Sequence, residues 1–233
     1  MDDLESRELV AIGSRVLAFN GHNDLIWGHA SIRDNAGRGA WIKSAEWGLG
    51  EVTAERVHLL DFSGTLLAGA GSRHREYPIH TEILAARPDV GAVVHTHPPH
   101  AIALAASGQP LLPVSHSATM FVPPQVPRFT QTTDLIETPG LGQALAAALG
   151  EAPAIFLLNH GIVTVGPDLP TATVRAIILE QACQQQLLTR AAAGDGLTWT
   201  SDEEALAKRA HIFSDRSIQA AWDYLMRRLP AQS

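Results

Sequence analysis

Residues 91–100 end a β-branched run in two histidines, His95 and His97, followed by Pro98-Pro99-His100. Successive side chains of a strand point to opposite faces, so an i, i+2 spacing puts both imidazoles on one face at a strand end. Neutral imidazole is the commonest protein ligand for metals, and two convergent rings at a strand mouth suggest a divalent-metal site. Taken alone, the pair reads equally well as two surface histidines ahead of a Pro-Pro stop. A second segment changes the weighting. An apolar run over 154–158 leads into Asn159-His160-Gly161, and a second β-rich run over 162–165 follows. A histidine beside a glycine between two apolar runs sits at a chain reversal, from which its ring can reach a cleft. A catalytic metal asks for three protein ligands and an open position; His95, His97 and His160 supply three. Glu76, in Arg75-Glu76-Tyr77-Pro78-Ile79-His80, offers a carboxylate that either ligates the metal or moves protons.

The elements that must position these groups alternate between helices and strands. Residues 4–19 carry Leu9, Ile12, Val16 and Phe19 at three- and four-residue steps, which predicts a helix, stopped by Asn20-Gly21. Residues 27–33 predict a short strand, with 40–42 as its partner. Residues 57–62 and 65–67, around Ser63-Gly64, predict a hairpin. A helix over 79–86 ends at Arg87-Pro88, because the residue before proline avoids the α region. A strand over 90–95 and a helix over 99–107 come next. Then come a helix over 141–149, strands over 155–158 and 162–165, and a long helix over 171–193 between Pro170 and Gly194. Strands joined partly by hairpins and partly by helices predict a mixed sheet with helices packed on it.

Composition narrows the function classes. The chain has 233 residues and shows no linker, repeat or charge block that would divide it, so a single domain over 1–233 is expected. A hydrophobic fraction of 45% is ordinary for a soluble globular protein. A net charge of −7, with no basic cluster, argues against a nucleic-acid partner. The single Cys183 rules out an internal disulfide, fits a reducing compartment, and reads as a small buried hydrophobe. With no apolar run of about 18 residues and no basic-then-apolar leader, no membrane partner is expected and the location reads as cytoplasmic. His80 reads as a structural group or a support for a ligand, His100 as a helix-start surface residue, and Glu180 as an ion-pair partner inside the long helix. Trp199, Trp222 and Tyr224 read as packing or interface aromatics.

The spacing Glu76, His95-x-His97 and Asn159-His160-Gly161 resembles the class II aldolase/adducin family. So do Gly28-x-x-Ser31-x-Arg33 and Ala86-Arg87-Pro88-Asp89-Val90, and the likeness runs over residues 4–193. The resemblance implies an α/β fold, a three-layer α/β/α sandwich with a mainly antiparallel central sheet. It implies one divalent metal per subunit on His95, His97 and His160. Zinc suits three imidazoles and a carboxylate, with manganese, cobalt and iron as alternatives. Glu76 maps onto the family's catalytic glutamate. A homotetramer with active sites near subunit interfaces is implied as well, acting on a small-molecule substrate. His116, in Val114-Ser115-His116-Ser117, aligns with the place where sugar-phosphate members present a tyrosine from the neighbouring subunit. It is therefore a catalytic candidate across an interface, or else a loop histidine of its own subunit.

Departures from the sugar-phosphate members are equally informative. Those bind phosphate with Gly-Asn in the first loop, a Thr-Gly turn and small hydroxyl residues just before the glutamate. This chain has Gly28-His29, Lys43-Ser44-Ala45-Glu46 and His74-Arg75 in those places. His29, Ser31, His74 and Arg75 become the candidate substrate-binding set, and the guanidinium fork of Arg75 suits a carboxylate. A branch of the family resembles decarboxylases of hydroxylated aromatic dicarboxylates such as dihydroxyphthalate. There, the keto tautomer of an ortho hydroxyl makes the ring a β-keto acid that loses carbon dioxide to give a metal-stabilised enolate, with Glu76 carrying the proton. A metal-dependent decarboxylase is therefore the favoured expectation. An aldolase acting on a sugar, a sugar phosphate or a small hydroxy-oxo acid is the alternative. A non-catalytic adducin-like interaction domain ranks third, since such domains lose the metal ligands and this chain keeps them.

Overall fold

The computed structural model describes residues 1–230. Asp2 opens α1 (Asp3–Leu17): its carboxylate accepts the N–H groups of Leu4 and Glu5, and Glu5 accepts the Asp2 N–H in return. This reciprocal cap satisfies donors that no helical carbonyl can reach. A widened turn over 18–22 leads into an antiparallel meander of β1 (His29–Arg33), β2 (Ala40–Lys43), β3 (Val57–Leu60) and β4 (Leu66–Ala68). The chain continues through α2 (Tyr77–Ala86), β5 (Ala92–Thr96), α3 (Pro99–Ala106), the short α4 (His116–Thr119), β6 (Arg128–Phe129) and α5 (Pro139–Leu149). The hairpin of β7 (Ala154–Leu157) and β8 (Gly161–Gly166) precedes the long α6 (Leu169–Ala193), α7 (Asp202–Ile212) and α8 (Asp215–Arg227).

The eight strands form one sheet in the order β4-β3-β2-β1-β5-β8-β7-β6. Every pair is antiparallel except β6 with β7. Strand alternation divides the apolar side chains between two faces. Ala30, Ile32, Ala92, Val94 and Phe156 pack with α1, α3, α6 and α8 on one face. Val93, Ile155, Val163 and Val165 pack with α2 and α5 on the other. Each fully buried branched aliphatic contributes about 1.5–3 kcal/mol, so both helical layers are held firmly to the sheet. The result is a three-layer α/β/α sandwich on a mainly antiparallel sheet. His29, Ser31 and His95 share the parity of Val93 and so face α2. The α2 layer carries the polar cluster described below.

Several boundaries differ from those predicted. The strand expected from residue 27 begins at His29, because Asp24 to Trp27 is a tight turn in which the Trp27 N–H donates to the Asp24 carbonyl at 2.9 Å. Pro170 lies inside the first turn of α6 rather than before it, where a missing N–H costs nothing. The two-residue β6 is too short to show a period of two, and the helices α7 and α8 lie in a segment where no element was predicted. No helix among the described residues is long and apolar enough to cross a membrane.

Candidate active site

Three local devices bring the predicted ligands together. The register of β1 on β5 sets His29 directly opposite His95, and that of β5 on β8 sets Thr96 opposite Ile162. Gly161 permits the close approach of the two strand ends. A Cβ there would stand 2.4 Å from the Thr96 carbonyl oxygen and 2.9 Å from the His97 ring, inside contact distance. The turn before it places Asn159 at φ 56°, a region that asparagine tolerates better than most residues, and so swings His160 toward the end of β5. Glu76 lies immediately before α2, and its Oε1 accepts the Ile136 N–H at 2.9 Å.

One ligand atom from each of Glu76, His95, His97 and His160 lies within 4.8 Å of the others, a grouping that could hold a metal ion. The His95 Nδ1–H donates to the Ile162 carbonyl at 2.9 Å, and His97 Nδ1 bonds Asp24 Oδ2 at 2.9 Å. Each Nδ1 therefore carries the proton, and each Nε2 turns a lone pair inward. The two Nε2 atoms stand 3.0 Å apart, where facing lone pairs repel. An ion removes that repulsion: imidazole nitrogens about 2.1 Å from a common ion at near-tetrahedral to right angles stand roughly 3.0–3.4 Å apart. Glu76 Oε2 lies 3.5 Å from His95 Nε2, and Oε1 lies 3.6 Å from His160 Nε2. The donor set, its tautomers and its spacing all fit a divalent cation.

Burial dominates the electrostatics. It pushes the His97 imidazole down to about 4, assisted by the neighbouring His95. His29, fully enclosed and crowded by His74, His80 and His95, is held well below its usual range. Burial brings His80 to about 3 and His74 to about 2. For Glu76 burial pushes upward, but contact with His160 and His95 outweighs it and leaves the carboxyl well below the usual range. At neutral pH these imidazoles are neutral, which is the form that binds metals.

The cluster opens into a cavity of about 640 Å³. Glu76, His97 and His160 lie at its polar end together with His29 and His74. Ile26, Trp27, Ile102 and Leu135 supply apolar wall, and Arg73 and Arg75 contribute cationic groups. The His74 Nε2 is buried without a hydrogen-bond partner.

The family model described as "Class II Aldolase and Adducin N-terminal domain" matches residues 7–187. The chain belongs to the class II aldolase/adducin family. It is 29% identical over 237 residues to a 3,4-dihydroxyphthalate decarboxylase of Arthrobacter keyseri, covering 97% of this chain and 94% of the relative. It is 32% identical over 199 residues to a 3,4-dihydroxyphthalate decarboxylase of a Terrabacter species, covering 81% and 82%. A crystal structure of an aldolase II superfamily protein from Pseudomonas syringae superposes with a TM-score of 0.88 at 27% identity, covering 97% of this chain and 92% of that one.

Within this class II aldolase fold, the other predicted site residues fall in different places. His29 and His74 reach the cavity. Ser31 does not: it is fully buried behind His29 and hydrogen-bonded to His80. Arg75 lies on the cavity lining, 72% exposed, with Nη2 2.6 Å from Glu137 Oε2. His116 is exposed at the first turn of α4 and does not line the cavity of its own chain. Glu180 accepts the His100 and Ala101 N–H groups and the His100 ring, which fixes the start of α3 just beyond the histidine pair. Asp24 was missed by the sequence reading. Seventy-three positions from His97, its only sequence signal is an acidic residue in a turn ahead of Gly28.

The buried histidines make stability depend on pH. His22, 1% exposed, is pushed down to about 4 by burial, and His80 and His74 lie lower still. Their folded values sit below the unfolded value of about 6.5, so below that pH the unfolded chain binds more protons and folding weakens. This contribution is complete above pH 6.5 and is lost as pH falls toward 4, with His22 alone worth on the order of 3 kcal/mol. The metal-free protein should lose about 5 °C or more in Tm between pH 7.5 and 5. An unchanged Tm over that interval would contradict neutral burial.

Proposed function

We propose that this protein is a divalent-metal-dependent carbon–carbon lyase that decarboxylates a hydroxylated aromatic dicarboxylate resembling dihydroxyphthalate. One observation carries the reading: a cluster of three inward-facing Nε2 atoms and Glu76 shares a cavity with His29, His74 and Trp27. Imidazoles and an aromatic wall stand there in place of a hydroxyl cradle for phosphate. The dihydroxyphthalate decarboxylase names of the two relatives support it. His95, His97 and His160 would hold the ion, which supplies Lewis-acid stabilisation of negative charge on a substrate oxygen.

Glu76 is the group placed to move the proton. Its carboxylate, held ionised and oriented by the Ile136 N–H, can accept the proton of the ring hydroxyl ortho to the departing carboxylate. It can then return that proton to the ring carbon that bears the carboxylate. The bond from that carbon to carbon dioxide breaks, and its electron pair restores the aromatic ring. Trp27, Ile26, Ile102 and Leu135 offer apolar surface to the ring. His29 and His74 face the second carboxylate at the polar end, while Arg75 must share its guanidinium with Glu137.

Activity is read as carbon dioxide released from 3,4-dihydroxyphthalate with added divalent metal. The wild type should turn over, whereas Glu76→Gln should keep its metal and lose about 10²–10⁴-fold in rate. Cleavage of fuculose 1-phosphate without carbon dioxide release would replace this reading with an aldolase.

The assembly is proposed to be a homotetramer with cavity mouths near subunit interfaces. The turn at the mouth exposes Leu25 at 70% and Trp27 at 52%, apolar surface that a neighbouring subunit would cover. His116 can enter the chemistry only across such an interface. Sedimentation should give a tetramer, and a fully active monomer would contradict the arrangement.

A further inference from the structure

Behind the polar end of the cavity, three side chains form one unbranched hydrogen-bonded row. Ser31 Oγ lies 2.6 Å from His80 Nδ1, and His80 Nε2 lies 2.6 Å from His29 Nδ1. All three residues are buried, and only His29 lines the cavity. The row exists because β1 turns His29 and Ser31 toward α2, where His80 stands one helical turn beyond Glu76.

A neutral imidazole donates through one nitrogen and accepts through the other, so two imidazoles in series must choose their tautomers together. Both ends of the row favour the same choice. At the closed end, Ser31 Oγ has His80 as its one hydrogen-bond partner among the described residues. Its hydroxyl proton is satisfied only by donation to Nδ1. His80 then carries its own proton on Nε2 and donates to His29 Nδ1, which leaves the His29 proton on Nε2. At the open end, His29 Nε2 stands 4.0 Å from Glu76 Oε2, where an N–H is favoured over a lone pair. The reverse sense would strand a buried hydroxyl proton and set a lone pair against a carboxylate, both unfavourable in a dry interior.

We propose that Ser31 and His80 are positioning residues that lock His29 as an Nε2–H donor, and that this donor grips a carboxylate oxygen of the substrate. With Nδ1 already occupied, His29 offers the cavity a donor and no acceptor. It therefore selects an anionic acceptor oxygen over a neutral hydroxyl, which would have to rotate its own proton away. The assignment of the gripped group rests on the dicarboxylate reading above; the tautomer lock does not.

Long-range ¹H–¹⁵N spectra of the zinc-supplemented protein, labelled with ¹⁵N-histidine, report the two tautomers directly. His29→Gln and His80→Gln variants assign the signals. The wild type should show both rings as Nε2–H, and titration with phthalate as the probe should shift the His29 Nε2 resonance. Ser31→Ala should keep its metal, lose the single-tautomer signature at His80 and His29, and weaken phthalate binding about tenfold or more, the scale of one charge-assisted hydrogen bond. Ser31→Thr, which keeps the hydroxyl, should restore both. An Nδ1–H tautomer at either ring in the wild type overturns the proposal whatever the substrate is. Unchanged tautomers and unchanged phthalate affinity in Ser31→Ala overturn the part played by the serine. Nε2–H tautomers without any phthalate binding would support the lock while overturning the dicarboxylate reading.

Discussion

The pairing of β5 with β1 on one side and β8 on the other brings His29, His95, His97 and His160 to one end of the sheet, and the cavity depends on that register. A slip of one residue would turn His95 and His29 to the opposite face, against α1 and α6 and away from Glu76 and His80 on the α2 side. The contact that seals the register is backbone against backbone. Gly161 lies close to the Thr96 carbonyl because it has no Cβ, and any larger residue would have to push the β8 end away from the β5 end. Loss of that contact would move His160 away from its two partners without altering a single ligand.

A second constraint follows from burying so many imidazoles. Most buried polar nitrogens find a partner, and at the candidate metal site the structure gives two of the three imidazoles an acceptor for Nδ1: the Ile162 carbonyl for His95 and Asp24 for His97. Those acceptors set the tautomers, and the tautomers set which lone pairs face inward. Support of this kind orients a ligand and raises its basicity. Glu76 is governed by the same logic, since the Ile136 N–H holds one oxygen and leaves the other beside His95 and His29. The polar end of the cavity is thus preorganised by hydrogen bonds made behind it, from Ile162 and Ile136, and along its wall, from Asp24.

Much of this was legible in the sequence, and what was not has identifiable causes. The i, i+2 histidines announced their shared face because a strand has a period of two, and the Asn-His-Gly reversal announced the third imidazole. Glu76 was offered as a ligand or proton carrier beside the three histidines, and the resemblance then gave it the catalytic role. Asp24 carried no local pattern, since its partnership with His97 is created entirely by the fold. Ser31 was expected to meet substrate, yet its strand parity directs it at His80 on α2, a contact set by helix-on-sheet packing. The mixed sheet with helices on it was foreseen from alternating periodicities, and its three layers from the family resemblance. The two-residue β6 was missed because two residues define no period, and α7 and α8 because their segment was read only for its isolated aromatics.

Metal K-edge X-ray absorption on the protein reconstituted with zinc tests the central claim most directly, because it reads the ligand atoms and not merely their presence. The expected spectrum shows one ion per chain with three imidazole nitrogens at about 2.0–2.1 Å and oxygen completing the shell. Replacement of His95 by alanine should remove one imidazole contribution or the ion itself. A stoichiometric ion with an oxygen-only shell, or no bound ion in the folded wild type, would contradict the three-histidine assignment.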